Sequence, residues 1–350
     1  MISLISFIIL ISFLITFFTL PKIREFGLYA KLTDVPNRRK KQTKPVVRIG
    51  GFGILIGSIS SIFISNFIFK SSNLEIINNQ FFSILFIPSL LFFFIGLLDD
   101  IFSISAPIKL FLQFASSFLI WIGGFGINQL DMNWLGLSFE KLIFPAPISL
   151  IITFLWIGGV VNAINWLDGM DGLLAGISII LNISIIITSI FNNQVESFLW
   201  ASALLGSCIA YLIHNLKSNY IYMGDCGSYF IGANLALLTI IGKNSFSELN
   251  NNSNLLLGFL IIGIPIIDML IVIFKRIKDG FSPFCPDRSH LHHRLLKLGM
   301  DKKEVLFSIY IINIWLNSIV FLIHYFSIGL IFLISSSGLI LLKYQSFRRN

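Results

Sequence analysis

"FFSILFIPSLLFFFIGLLDD", residues 81–100, sets a long apolar run against two adjacent aspartates. A run of this length without a charge reads as a bilayer-spanning helix, which takes about 20 mostly apolar residues. Working outward, the same reading applies at 1–20, 50–69, 107–127, 147–162, 172–191, 197–213, 228–242, 255–274, 305–323 and 325–342, of which 147–162 and 228–242 are short. The expectation is an all-α polytopic membrane protein of about eleven transmembrane helices, forming one integral-membrane domain over residues 1–350. A composition that is 55% hydrophobic and 12% charged, with a mean hydropathy of +0.86, excludes a soluble domain. Strand-like alternation is absent, which argues against a membrane barrel. The first apolar run has no basic residue before it and no small-residue cleavage site after it, so it reads as an anchor rather than a signal peptide.

Basic residues give the expected orientation. Lys22, Arg24, Lys31, Arg38, Arg39, Lys40, Lys41, Lys44 and Arg48 crowd the loop 21–49. By the positive-inside rule this loop faces the cytoplasm and the N-terminus lies outside. Alternating the later spans then puts 22 of the 25 Lys and Arg inside, together with the C-terminus, and leaves Lys70, Lys141 and Lys243 outside. The net charge of +8 therefore reads as topology and as affinity for anionic lipid headgroups, not as a nucleic-acid footprint. Cys208, Cys226 and Cys285 form no CxxC pair and are expected as free thiols.

The polar residues inside so apolar a chain need a reason, because they are costly away from water unless paired or used. Asp99, Asp100, Asp168, Asp171 and Asp225 all fall where a span meets an expected inner loop, in the segments 99–109, 162–172 and 214–228; a fourth inner segment is 275–304. Asp99 and Asp100 would point about 100° apart on a helix and so have different tasks, with Lys109 opening the next span. In "NAINWLDGMDGL", 162–173, Asn162, Asn165, Asp168 and Asp171 recur every three residues, a spacing that can wrap a ligand. Gly169 and Gly172 permit a loosened helix end. "YMGDCGSYFIG", 222–232 with Tyr222 at its first residue, places Asp225 in a glycine turn whose backbone amides suit phosphate oxygens. "SPFCPDRSHLHHRLLKLG", 282–299, concentrates Arg288, His290, His292, His293 and Arg294; His290 and His293 can share a helix face. The loop has no HExxH and no cysteine partner for zinc, and a diphosphate or sugar is the better fit. Asp268 lies deeper in its span and suits a structural partner or a site role equally. His214 and His324 read as interface residues. Carboxylates, a phosphate-suited turn and a His/Arg loop on one face point to metal-assisted phosphoryl transfer between a soluble nucleotide and a lipid.

At these residues the sequence resembles the polyprenyl-phosphate N-acetylhexosamine-1-phosphate transferase family, of glycosyltransferase 4 type. "DVPNRRKKQTKPVVRIGG", "DDIFSISAPIKL", "NAINWLDGMDGL", "GDCGS" and "PDRSHLHHRL" carry the likeness, in that order. The translocase branch, which takes UDP-MurNAc-pentapeptide, has three consecutive histidines and a nearby acidic residue; here the loop reads "HLHHR" and is similar to the branch that transfers GlcNAc-1-phosphate. The resemblance implies transfer from a UDP-N-acetylhexosamine to undecaprenyl phosphate, with UMP released, in a bacterial inner membrane. A surface glycan would begin there, with the active site cytoplasmic. It implies Mg2+ as cofactor and leaves open Mn2+ and dimerisation. Asp99, Asp100, Asp168, Asp171 and Lys109 would be catalytic, and Asp225, Asp168 and Asn165 would hold metal. Asn162, Asn165, Tyr222, Arg288, His290, His292, His293 and Arg48 would bind substrate, Tyr222 by stacking on uracil. Two rivals are a MurNAc-pentapeptide transferase of the same family and a multi-pass transporter. A transporter would gather its polar groups at the bilayer midplane and be built on an inverted repeat.

Overall fold

The computed structural model describes residues 2–34, 45–69, 79–130, 142–217, 220–240, 255–284, 289–324 and 336–337. The chain divides into two compact units, Met1–Leu255 and Leu256–Asn350. The first contains α1 (Ile2–Tyr29), α2 (Gly51–Phe69), α3 (Asn79–Phe102), α4 (Ala106–Ile120), α5 (Ala146–Leu167), α6 (Leu173–Phe191), α7 (Val195–Asn215) and α8 (Gly224–Ile240). In the second lie α10 (Gly263–Lys278), α11 (Leu291–Lys297) and α12 (Lys302–His324), with α9 (Leu255–Ile261) at the division.

Among the described residues eight helices, α1 to α7 and α12, are long and apolar enough to cross a membrane. The architecture is that of an all-α polytopic membrane protein. The differences from the expected spans have local causes. α8 is described to Ile240, where the described residues stop, and it is buried along almost its whole described length, a central helix wrapped by others of the first unit. The span expected over 255–274 breaks at Ile262, whose φ of −88° and ψ of 13° leave the helical region. Gly263 and Pro265 follow immediately. The last expected span, 325–342, lies outside the described residues except for 336–337.

Two of the prolines inside these helices, Pro21 and Pro265, are answered from neighbouring helices. Pro21 has no N–H and frees the carbonyl of Phe17 in α1; His214 Nε2 of α7 donates to that oxygen at 3.2 Å. Pro265 likewise frees the carbonyl of Ile261, and Asn317 Nδ2 of α12 donates to it at 3.3 Å. His214 is thus the interface residue expected; the side chain of His324 is not among those described.

Lipid offers helices no hydrophobic reason to associate, so close backbone approach and polar contacts carry the packing. α1 and α7 meet through small residues: Ser12 bonds Ser207 at 2.6 Å and Thr16 donates to Ser207 at 3.0 Å. A Cβ on Gly206 would come within 2.3 Å of the Ile9 carbonyl oxygen. Asn234 of α8 is shared by Ser89 of α3 and Trp200 of α7. Gly232 of α8 lets α5 approach, since a Cβ there would lie 2.8 Å from the Cα of Val161.

Among the described residues four two-residue strands, too short to show alternation in sequence, organise the loops. β1 (Thr33–Asp34) pairs antiparallel with β2 (Val46–Val47), and β3 (Gln129–Leu130) with β4 (Leu142–Ile143). Val47 also bridges to Ile221 in parallel. Tyr222 N donates to the Val47 carbonyl at 2.8 Å, and Gly50 N and Gly51 N donate to Tyr222 and Met223 at 2.9 and 2.8 Å. This short ladder lays the segment before α2 alongside the segment before α8.

Gly224 opens α8 with φ of 76°, and a Cβ there would meet the Arg48 carbonyl oxygen at 1.8 Å. Gly224→Ala is therefore expected to cost about 3 kcal/mol or more, combining strain with a backbone clash. Gly159→Ala, with nothing within 4 Å of its Cβ, is expected to be neutral or to gain up to about 1 kcal/mol. Thermal unfolding of both variants in detergent checks the pair.

Candidate active site

The end of α3 makes the site. Asp99 and Asp100 lie in its last turn, on differing faces, and they do differ in task. Asp100 Oδ1 and Oδ2 accept the backbone N–H groups of Asp225 and Cys226 at 3.0 and 2.9 Å. Its carboxylate therefore caps the N-terminus of α8, where unpaired amides and the helix dipole favour negative charge. The sequence expectation that these amides await a phosphate is corrected: the protein fills two of them itself. Gly96 makes the cap reachable, because a Cβ there would sit 2.2 Å from the Asp225 carbonyl oxygen.

Asp99 is 8% exposed and ion-paired with Lys109, from the first turn of α4. Lys109 Nζ also stands 4.0 Å from Asp225 Oδ2. Asp99 and Asp225 are close enough for a hydrogen bond between their carboxyls. From α5, Asn165 Nδ2 donates to Asp225 Oδ1 and to Ser228 Oγ, each at 2.9 Å. Asp225 is held from three directions.

α5 runs to Leu167, a turn beyond the expected end, so Asn162 and Asn165 are helical while Asp168 is its C-cap and Asp171 lies in the following turn. The every-third-residue series thus does not lie on one continuous helix. Gly172, at φ of 85°, starts α6 in the left-handed conformation. Its N–H is taken at 2.6 Å by Asn215 Oδ1, and Asn215 Nδ2 donates to the Ile221 carbonyl at 3.0 Å. Asn215 ties the aspartate turn to the ladder before α8; sequence reasoning missed it, although it was an unexplained amide at the end of an apolar run. Asn162 is engaged within the protein. Its amide exchanges hydrogen bonds with Gln113 of α4 at 2.8 and 3.3 Å, which makes it a link between α4 and α5.

Asp168 is exposed to solvent, yet the protein around it, then the charges of Asp100 and Asp171, push its carboxyl up to about 7. Arg48, carried in by the β2 ladder, opposes this and also acts electrostatically on Asp100. Tyr222 is half-buried on the same ladder. Burial, followed by the charges of Asp171, Asp34 and Asp168, raises its phenol. The structure thus brings together Arg48, Asp99, Asp100, Lys109, Asn165, Asp168, Asp171, Tyr222 and Asp225.

The histidines belong to the second unit. His290 is the N-cap of α11, so the expected pairing of His290 and His293 on one helix face is replaced by a ladder. The His290 and His292 rings stack at 6.0 Å and 11°, and His292 and His293 lie 4.2 Å apart. Burial, with His293 and His290 beside it, lowers the His292 imidazole to about 4. Arg288 lies outside the described residues.

Among the described residues no three His, Cys, Asp or Glu side chains form a ready-made metal cage. The donors are nevertheless of the right kind for Mg2+, which takes one or two carboxylates and completes its shell with phosphate oxygens and water. Asp225 and Asp168 supply such oxygens. Asn165 commits its amide nitrogen to Asp225 and Ser228, so only its carbonyl oxygen could ligate.

Residues 82–243, which include every site carboxylate of the first unit, match the family model described as glycosyl transferase family 4. The chain is 28% identical over 309 residues, 87% of its length and 82% of the relative's, to the probable undecaprenyl-phosphate N-acetylglucosaminyl 1-phosphate transferase of Bacillus subtilis (strain 168). It is 28% identical over 304 residues, 85% of this chain and 77% of the other, to the undecaprenyl-phosphate alpha-N-acetylglucosaminyl 1-phosphate transferase of Escherichia coli (strain K12). Identity is again 28%, over 331 residues covering 88% and 79%, with the decaprenyl-phosphate N-acetylglucosaminephosphotransferase of Mycobacterium tuberculosis (strain ATCC 25618 / H37Rv). The resemblance carried by the motifs thus extends over most of the chain.

A carboxyl raised in the folded state contributes stability that is present below its ordinary value and lost as pH rises through the folded value. For Asp168 that window runs from 3.8 to about 7. Without divalent cation, Asp168→Asn should remove this part of the pH dependence and match or exceed the parent protein at pH 8. Thermal unfolding at pH 5 and pH 8 tests this; an unchanged slope in the variant would contradict it.

Proposed function

We propose that this chain, a relative of glycosyl transferase family 4 through residues 82–243, transfers GlcNAc-1-phosphate from UDP-GlcNAc to undecaprenyl phosphate. The reaction takes place on the cytoplasmic face of a bacterial inner membrane and initiates a surface glycan. The observation that carries the reading is the grouping of Asp99, Lys109, Asp225 and Asn165 at the joined ends of α3, α4, α5 and α8. Carboxylates fixed around a lysine suit a reaction whose charge lies on phosphate oxygens. The likeness to proteins named for N-acetylglucosamine and a polyprenyl phosphate supplies the donor sugar and the acceptor class.

In the reaction an oxygen of the lipid phosphate attacks the β-phosphorus of UDP-GlcNAc. The bond from that phosphorus to the oxygen bridging the two phosphates breaks, and UMP leaves with that oxygen. GlcNAc is left on a polyprenyl diphosphate. Lys109 and Arg48 neutralise phosphate charge, and Asp99 orients Lys109. Asp225, with Asp168 and the carbonyl of Asn165, would hold Mg2+. Bound there, Mg2+ offsets the negative charge that develops on the diphosphate. Asp171 faces the nucleotide and Tyr222 stacks on uracil. Asp100 acts at one remove, by seating Asp225. His290, His292, His293 and Arg288 serve the diphosphate and sugar. The lipid phosphate is already a nucleophile, so a single displacement suffices without an enzyme-bound intermediate.

Purified protein given UDP-GlcNAc labelled in the sugar, undecaprenyl phosphate and Mg2+ should yield lipid-soluble label. EDTA should abolish it, and Asp225→Ala should lower the rate by about 10²- to 10³-fold, the scale of losing one charge-stabilising group. Label that persists with EDTA removes the metal from the reading. UMP released only from a different UDP-sugar would replace the donor assignment.

A further inference from the structure

We propose that Arg24, Lys217 and Tyr220 bind the phosphate of an anionic membrane phospholipid, at a site apart from the catalytic carboxylates. All three belong to the first unit. The Arg24 guanidinium carbon, near the end of α1, lies 4.8 Å from the centre of the Tyr220 ring. Lys217 Nζ, just past the end of α7, lies 5.5 Å from it. Both are within the ~6 Å over which an aromatic ring attracts a cation. Among the described residues neither cation is ion-paired with a carboxylate, Glu25 beside Arg24 included. Asp99 and Asp225 pair with Lys109 instead.

The ring is held in place from both helices. Arg24 Nε donates to the Tyr220 carbonyl at 3.0 Å. His214 of α7 stacks on the ring at 5.3 Å and 22°, and is itself fixed to the Phe17 carbonyl of α1. A turn joins Lys217 to Tyr220, whose N–H donates to the Lys217 carbonyl at 3.2 Å. Two like charges are thereby gathered at one ring, where they repel each other, and an anion beside them relieves that repulsion. The surroundings select the source of the anion. Ile213, one turn before Lys217, and Leu216, next to it, are 41% and 55% exposed. α1 and α7 are both long and apolar enough to span a membrane, so this apolar surface meets acyl chains. A phospholipid answers both features, with its chains along Ile213 and Leu216 and its phosphate at the cations, whereas free phosphate leaves the apolar surface bare. Basic groups between helix ends at headgroup level are suited to such phosphates. The site adjoins the ladder that carries Tyr222, since Ile221 follows Tyr220 and bridges to Val47.

The test is native mass spectrometry of the full-length protein in neutral detergent, titrated with phosphatidylglycerol, phosphatidylcholine, undecaprenyl phosphate or inorganic phosphate. The readout needs no catalysis, so its outcome is separate from that of the proposed function. The parent protein should retain phosphatidylglycerol in preference to phosphatidylcholine. Lys217→Gln and Arg24→Gln should each weaken that binding about fivefold, the scale of one basic group at an anionic lipid. Tyr220→Leu, which removes the ring that gathers the cations, should weaken it as well. Lys22→Gln, at an exposed position of α1, should leave it unchanged. Equal losses from Lys22→Gln and Lys217→Gln signify general attraction to positive charge and overturn the site, as does binding that ignores Lys217→Gln. Displacement of phosphatidylglycerol by inorganic phosphate at equal concentration assigns the cations to free phosphate. Preferential retention of undecaprenyl phosphate, lost in Lys217→Gln, assigns them to the acceptor; either result overturns the proposal. Lys217 is exposed, so its variant decides the matter even where Arg24→Gln fails to fold.

Discussion

One carboxylate holds the first unit's site together. Asp100 reaches from the last turn of α3 to two amides at the start of α8, where the helix dipole and unfilled N–H groups both favour it. Because Asp100 is fixed, its neighbour Asp99 must project elsewhere, and it meets Lys109. Because α8 is fixed, Asp225 must sit beside both. Gly96 and Gly224 are the spaces this contact requires: side chains there would strike the Asp225 backbone and the Arg48 carbonyl.

Polar groups in this chain fall into two kinds that composition does not separate. Asn162 with Gln113, Ser12 with Ser207, and Asn234 with Ser89 are neutral pairs that join helices in a medium where apolar contact alone does not. The carboxylates instead gather at helix ends, with lysine, arginine and backbone amides about them. A neutral pair is satisfied by its partner. The carboxylates act on one another instead: Asp168 feels the charges of Asp100 and Asp171, and Asp225 lies beside Asp99.

Hydropathy made most spanning helices legible, because length and apolarity are local properties. Boundaries were less so. The end of α5 was placed near Asn162, where polar residues begin, yet the backbone stays helical to Leu167 since Asn162 and Asn165 find partners on α4 and α8. The site aspartates could be picked out by their shared position at span ends, and the structure brings those of the first unit together. Their division of labour could not be read, since Asp100 and Asp99 differ only in what lies opposite each. The role of Asn215 depends on a turn 43 residues earlier, and the two-residue strands leave no periodic trace. His290 and His293 looked like helix neighbours by spacing alone, but the helix begins only after His290.

The carbonyl of Phe17 has a further consequence for how the chain is made. Its partner, His214, is 197 residues later in sequence. During synthesis α1 therefore enters the bilayer well before the side chain that answers Pro21 exists. Until α7 follows, α1 lacks the side chain that answers this carbonyl. The final seat of α1 is thus secured by a helix that comes much later in the chain.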